Sequence, residues 1–180
     1  EGVRLCELAP CQRRAEIEFH FAMQPTHSQQ LLALLHAHGV TAARHGFGLR
    51  RQLEGLMTGK IDLTYTHNGQ WFVLDYKSNR LPRYDAAALE AAMAESEYDL
   101  QALLYTVALH RWLRFRLGSG YDYERDFGGI RYLFARGLDA ADPQCPGLHA
   151  RCFPVELVHG LDVLFAGGQQ AHARLLGGVA

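Results

Sequence analysis

The stretch Gly59-Lys60-Ile61-Asp62-Leu63-Thr64-Tyr65-Thr66-His67-Asn68-Gly69-Gln70-Trp71-Phe72-Val73-Leu74-Asp75-Tyr76-Lys77 decides how the chain folds. Two strand-like runs, Lys60 to Tyr65 and Trp71 to Lys77, flank His67-Asn68-Gly69-Gln70. Asn-Gly is a strong hairpin signal because both turn positions need positive φ. With Asn68 and Gly69 at those positions, His67 faces Gln70, and counting back along both strands sets Asp62 opposite Asp75. Opposed residues of an antiparallel pair hold their Cβ atoms about 4.5–5.5 Å apart, so two carboxylates there repel. Lys77 lies two residues beyond Asp75 and points from the same face. The other face carries Ile61, Leu63, Tyr65, Phe72, Leu74 and Tyr76 without a charge, and is expected to be core.

Outward from the hairpin, Arg14 to Phe21 alternates as a strand, and Ser28 to His38 reads as a helix stopped by Gly39. Val40 to Gly55, rich in Gly and Arg, permits no assignment. Residues 85–95 suggest a helix, and a stronger one runs from Tyr98 to Phe115 with Leu100, Leu103, Leu104 and Val107 on one stripe. Gly118 to Asp126 reads as a loop, Gly129 to Ala135 as a buried strand, residues 137–150 as a loop, and Val155 to Phe165 as a final helix. That order predicts an α/β fold, a mixed central sheet flanked by helices, in a single domain over residues 1–180.

Composition narrows the function classes. Of 180 residues, 48% are hydrophobic and 21% charged, ordinary for a globular domain with a full core. No apolar run approaches the roughly 18 residues of a membrane span, and Glu1 to Arg14 is too polar for a signal peptide. The chain begins without methionine, so a piece of something longer is expected. Lys plus Arg number 18 against 19 for Asp plus Glu, so nothing attracts nucleic acid globally. Binding would need local patches: Arg13 and Arg14, then Arg44, Arg50 and Arg51, then Arg111, Arg114 and Arg116. Cys6, Cys11, Cys145 and Cys152 lack C-x-x-C spacing, which disfavours a zinc knuckle or iron–sulfur cluster and favours reduced, unligated thiols.

Opposed acids with an ammonium beside them cost stability unless something compensates. A salt-bridge network in which Lys77 neutralises both acids is one answer, but it leaves residual negative charge. Bound Mg²⁺, or Mn²⁺, removes the repulsion and prefers carboxylate oxygens. Asp62 and Asp75 would then hold the cation, with Lys77 in reach of an attacked phosphate and its attacking water.

Gly59-Lys60-Ile61-Asp62-Leu63 followed by Leu74-Asp75-Tyr76-Lys77-Ser78-Asn79 resembles the D…(D/E)-x-K core of the restriction-endonuclease-like, PD-(D/E)xK nucleases. Tyr98-Asp99-Leu100-Gln101 with Tyr105 is similar to the Q-x-x-x-Y element of their RecB branch. The likeness continues through Ala108-Leu109-His110-Arg111, Tyr121-Asp122-Tyr123-Glu124, Phe127-Gly128-Gly129 and Tyr132-Leu133-Phe134, covering about residues 14–166. It implies a restriction-endonuclease-like core and the C-terminal nuclease domain of an exonuclease V beta subunit, acting on DNA in double-strand-break repair and recombination in the bacterial cytoplasm. It also implies RecC- and RecD-type partner subunits and a helicase part on the same polypeptide. No G-x-x-x-x-G-K-[ST] occurs in these residues, so ATP hydrolysis would lie elsewhere.

Carried over residue by residue, the resemblance makes Asp62, Asp75 and the Tyr76 backbone carbonyl metal ligands. It makes Lys77 catalytic, matches Glu16 to an acidic position, and turns Gln101 and Tyr105 toward DNA. The family's upstream G-x-x-x-H histidine has no counterpart: His20 and His27 follow the first strand, and His36, His38 and His45 come later. Weakened metal binding by this chain, and weak or absent cutting, are therefore expected. The rival readings are a catalytically silent DNA-guiding or subunit-docking module of the same fold, and a stand-alone exonuclease of another branch.

Overall fold

The computed structural model describes residues 3–46, 52–139, 141–142 and 144–167. Their elements run β1 (Arg13–His27), α1 (Ser28–Ala37), β2 (Gln52–His67), β3 (Gln70–Lys77), α2 (Ala86–Glu95), α3 (Tyr98–Leu117), α4 (Tyr123–Asp126), β4 (Phe127–Phe134), β5 (Leu148–Arg151) and α5 (Val155–Phe165). The sheet has the order β1-β2-β3-β4-β5, with β2–β3 and β4–β5 antiparallel and β3–β4 parallel. It is the mixed sheet with flanking helices expected of a restriction-endonuclease-like α/β fold. The chain divides into two compact units, Glu1–Glu18 with Lys60–Phe153, and Phe19–Gly59 with Pro154–Ala180.

The first unit is built on the β2–β3 hairpin. Asn68 and Gly69 have φ of 49° and 80°, the paired positive values of a type I′ turn. The ladder runs from His67↔Gln70 to Leu63↔Leu74, the register that the turn predicts. The apolar face is core, as Leu63, Tyr65, Phe72 and Leu74 pack with Leu8 and with the partly buried Val3, Leu5 and Leu133. Tyr76 departs from that expectation, with half its surface open, although it still pairs with Leu133 of β4. The other face is buried too, with Val73, Ile130 and Tyr132 fully enclosed and α3 contributing Ala102, Leu103 and Val107.

A bulge at the start of β4 sets the parallel register. Trp71 pairs with Phe127 but Phe72 with Gly129, leaving Gly128 as the extra residue. Gly129 has φ of +103° and Gly128 lies against the Phe72 ring, so neither position has room for a Cβ. Beyond the bulge Asp75 pairs with Tyr132 and Lys77 with Phe134. A one-residue slip would turn every following side chain of β4 to the other face.

Two short elements were not expected. β5 lies at the end of the expected 137–150 loop, and α4 lies in the expected 118–126 loop. Four-residue elements have little periodicity to read: β5 is held by its ladder with β4, and α4 by Asp122, whose carboxylate accepts from Arg125 N at 2.8 Å. β1 and β2 are longer than expected, with β2 starting at Gln52 in the stretch left unassigned. The rest of that stretch includes Arg50 and Arg51, which lie outside the described residues.

In the second unit α1 and α5 bury Leu31, Leu35, Leu157, Val158, Leu161 and Phe165. Phe165 stacks on Phe21 of β1 at 5.9 Å, and Thr26 Oγ1 donates to Leu164 O at 3.0 Å. Among the described residues no helix is long and apolar enough to cross a membrane.

Candidate active site

Where the hairpin ladder stops, side chains replace it. Asp62, which the turn sets opposite Asp75, takes the backbone N–H of Tyr76 on its Oδ2 at 2.9 Å. Asp75 is enclosed, with 4% of its surface open, and Lys77 is nearly as buried at 9%. Their ion pair is short, Lys77 Nζ to Asp75 Oδ2 at 2.6 Å, yet it lacks hydrogen-bond alignment, so that buried oxygen has no aligned donor. Burial pushes the Asp75 carboxyl above its ordinary range; Lys77 works against the shift and Asp62 adds to it. The repulsion from Asp62 that the sequence points to is a lesser cause of this shift than desolvation.

α3 delivers the second half of the site. Gln101 Oε1 accepts from Lys77 Nζ at 2.8 Å and from the Tyr132 hydroxyl at 3.1 Å. Gln101 Nε2 donates to the Tyr105 hydroxyl at 3.1 Å. Gln101 and Tyr105 are one helical turn apart, and both face the sheet. Burial, then Asp75 and Asp62, push the Tyr105 phenol up to about 12. The Lys77 ammonium also lies over the Tyr98 ring, 3.9 Å from its centroid, and 4.9 Å from that of Tyr132.

Asp75, Lys77, Gln101 and Tyr105 thus form one contact network, with Asp62 acting on it electrostatically. Glu16 is placed differently. It sits on β1 with φ of 55° and pairs with Lys60 at 3.0 Å, its side chain largely exposed. Tyr98 and Tyr132 were not expected at the site, although both stand in the runs that carry the resemblance. A signal existed for each: Tyr98 is one turn before Gln101 on α3, and Tyr132 has the strand parity of a residue facing α3.

The donor set suits a hard cation. Asp75 Oδ2 is buried without an aligned donor, and the side chains that could bind a cation there, Asp62 and Asp75, both offer carboxylate oxygens. Such sites fit Mg²⁺ or Mn²⁺, which keep several waters and need few protein ligands. Among the described residues no three His, Cys, Asp or Glu side chains gather as a metal-binding group. Cys6, Cys11, Cys145 and Cys152 are free and exposed.

A family model described as the PD-(D/E)XK nuclease superfamily matches residues 9–142, the span that holds both acids, Lys77, Gln101 and Tyr132. The chain belongs to that superfamily. This PD-(D/E)XK nuclease domain is 39% identical over 171 residues to RecBCD enzyme subunit RecB of Escherichia coli (strain K12), covering 92% of this chain and 14% of that protein. It is 45% identical over 118 residues to the RecB subunit of Haemophilus influenzae, covering 63% of this chain and 10% of the relative. With that of Mycobacterium tuberculosis (strain H37Rv) it shares 42% over 127 residues, 65% and 12% of the two chains. The chain thus spans a small part of the length of these relatives, and its type within the superfamily is that of the RecB nuclease domain.

Proposed function

We propose that the chain is a divalent-metal-dependent deoxyribonuclease, the cutting domain of an exonuclease V-type helicase–nuclease that processes double-strand breaks. The observation that carries this reading is a buried Asp75–Lys77 pair on the strand adjoining Asp62, in a chain of the PD-(D/E)XK superfamily. DNA is the proposed substrate. The RecC- and RecD-type subunits, and a helicase part of the same polypeptide, are the proposed partners, in keeping with relatives named as RecBCD subunits.

Asp62, Asp75 and the Tyr76 carbonyl would hold Mg²⁺, with Mn²⁺ as a substitute. When bound, the cation supplies Lewis acidity toward the phosphate and makes a nearby water more acidic. Without that countercharge the two acids would repel a DNA phosphate. Lys77 is the positive group that the chain itself brings. Its ammonium orients the attacking water and stabilises the negative charge that grows on the phosphate as the water oxygen bonds to phosphorus and the ester P–O bond breaks. Gln101 holds that ammonium by its amide oxygen, and with Tyr105 it positions the strand being cut. Glu16 is the outlying member of the proposed site. Its left-handed backbone is uncommon for a residue other than glycine, a kind of strain that clusters at functional sites.

The test is release of nucleotides from linear DNA with Mg²⁺, with chelator, and by Asp75→Asn. The expected result is slow cutting, by the unmutated chain and only with the cation. Cutting in chelator, or by Asp75→Asn at the unmutated rate, would overturn the reading.

A further inference from the structure

We propose that Tyr98 and Tyr132 form an aromatic seat that positions the Lys77 ammonium for phosphodiester cleavage. The inference rests on the function proposed above and adds two positioning residues to it. An ammonium has three donors and no acceptor. At Lys77, Asp75 Oδ2 is an ion-pair partner at 2.6 Å, Gln101 Oε1 accepts a hydrogen bond at 2.8 Å, and the Tyr98 ring lies 3.9 Å away at its centroid. Tyr132 flanks the ammonium beside Tyr98, its centroid at 4.9 Å, and the two rings stack 5.9 Å apart, 14° from parallel. The negative faces of both rings thus meet a desolvated cation, where such contacts are strongest.

Each ring is itself fixed. The Tyr98 hydroxyl donates to Asn79 Oδ1 at 3.1 Å. The Tyr132 hydroxyl reaches Gln101 Oε1 at 3.1 Å and Tyr98 O at 3.3 Å, tying β4 to the start of α3. Tyr132 is fully buried and faces α3 because the Gly128 bulge sets the register of β4.

The seat is neutral, and its chemistry depends on that. The site already holds two carboxylates against one ammonium, and its substrate is an anion. A third acid would hold Lys77 equally well but would deepen the negative field that a phosphate must enter. Aromatic faces and an amide oxygen fix the ammonium in space and leave its whole charge for the substrate. Once Asp75 serves a cation, these neutral groups are what continue to hold Lys77.

The chain has two lysines, Lys60 and Lys77, so protein labelled with ¹³C-lysine gives two sets of ε-CH₂ signals. In the metal-free chain the Lys77 signal is expected well upfield of Lys60, displaced by the ring currents of the seat. Tyr98→Leu should move it toward the Lys60 position, and Tyr98→Phe should keep it upfield. In cleavage, Tyr98→Leu is expected to lower kcat by about tenfold with little change in KM, and Tyr98→Phe to restore most of it. Tyr98 is partly open to solvent, so both variants should fold; Tyr132→Phe, which keeps the ring, is the second probe. A Lys77 signal unmoved by Tyr98→Leu, or equal kcat losses in the Leu and Phe variants, overturns the seat. If the unmutated chain shows no cation-dependent cutting, the proposed function fails, while the spectrum still decides whether the seat exists.

Discussion

At Lys77 one side chain touches almost every part of the site, so its removal is the most informative single change. Lys77→Met keeps the length and apolar stem and deletes the charge. Cleavage should fall by at least about 100-fold, the scale of losing one preorganised charge at a transition state, with an unchanged far-ultraviolet circular dichroism spectrum. Asp75 gives a prediction with a definite sign. Its carboxyl is raised by burial, so the folded chain holds that proton more tightly than the unfolded chain does. The resulting stability is fully present below the ordinary carboxylate pKa and is lost as pH rises through the raised value. Metal and proton compete for the same oxygens, so Mn²⁺ affinity measured by calorimetry should start to weaken, on lowering pH, above the usual carboxylate range. Tyr105 behaves similarly at the alkaline end. With its phenol at about 12, its share of stability should be lost between about pH 10 and 12, and Tyr105→Phe should remove that share from an alkaline denaturation series. Asp62, Asp75 and Lys77 are legible in sequence because a two-residue turn determines their facing. Tyr98 and Tyr132 show only a helix period and a strand parity, and that they meet depends on a parallel pairing that no local pattern encodes.

At the level of elements, the Gly128–Gly129 bulge carries the register on which the seat depends. A Cβ at Gly129 would meet Arg151 O at 2.7 Å, and its φ of +103° suits glycine alone. Strain and overpacking together predict that Gly129→Ala costs about 2–4 kcal/mol, read from the midpoint of urea unfolding at constant slope. A near-neutral result would mean that β4 reaches its register by other means. The hairpin and the helices at 98–117 and 155–165 are readable from turn chemistry and period, since long regular elements repeat their signal. The same logic fails for β5, whose four residues follow a Pro- and Gly-rich stretch and are a strand only because Tyr132 and its neighbours offer a free edge. It fails for Tyr76 as well. Strand parity assigns it to the core, but parity gives only the face and not what covers it: Tyr76 pairs with Leu133 and is still half open.

Across the whole molecule, the near balance of charge means that cation binding should act mainly through the site, without a general electrostatic background. A ligand that binds only the folded chain stabilises it by mass action. Mn²⁺ at about 100 times its dissociation constant should therefore add about 2.7 kcal/mol to unfolding. Asp62→Asn or Asp75→Asn should abolish that increment; a shift in melting temperature that survives in both variants would place the cation elsewhere. The mixed sheet was legible as a class from the order of elements. Its division into two compact units was not, because each unit takes pieces from distant parts of the sequence and two of the three boundaries fall inside β1 and β2.

The parallel pairing of β3 with β4 also sets an order of events. The hairpin needs only its own two-residue turn and can close in microseconds, whereas β4 must wait for α2, α3 and α4 to be laid down between the two strands. Asp62 and Asp75 are therefore neighbours long before Tyr132 arrives to enclose Lys77. In a chain emerging from the ribosome, the acids meet first, and the fully assembled site is among the last features that folding produces.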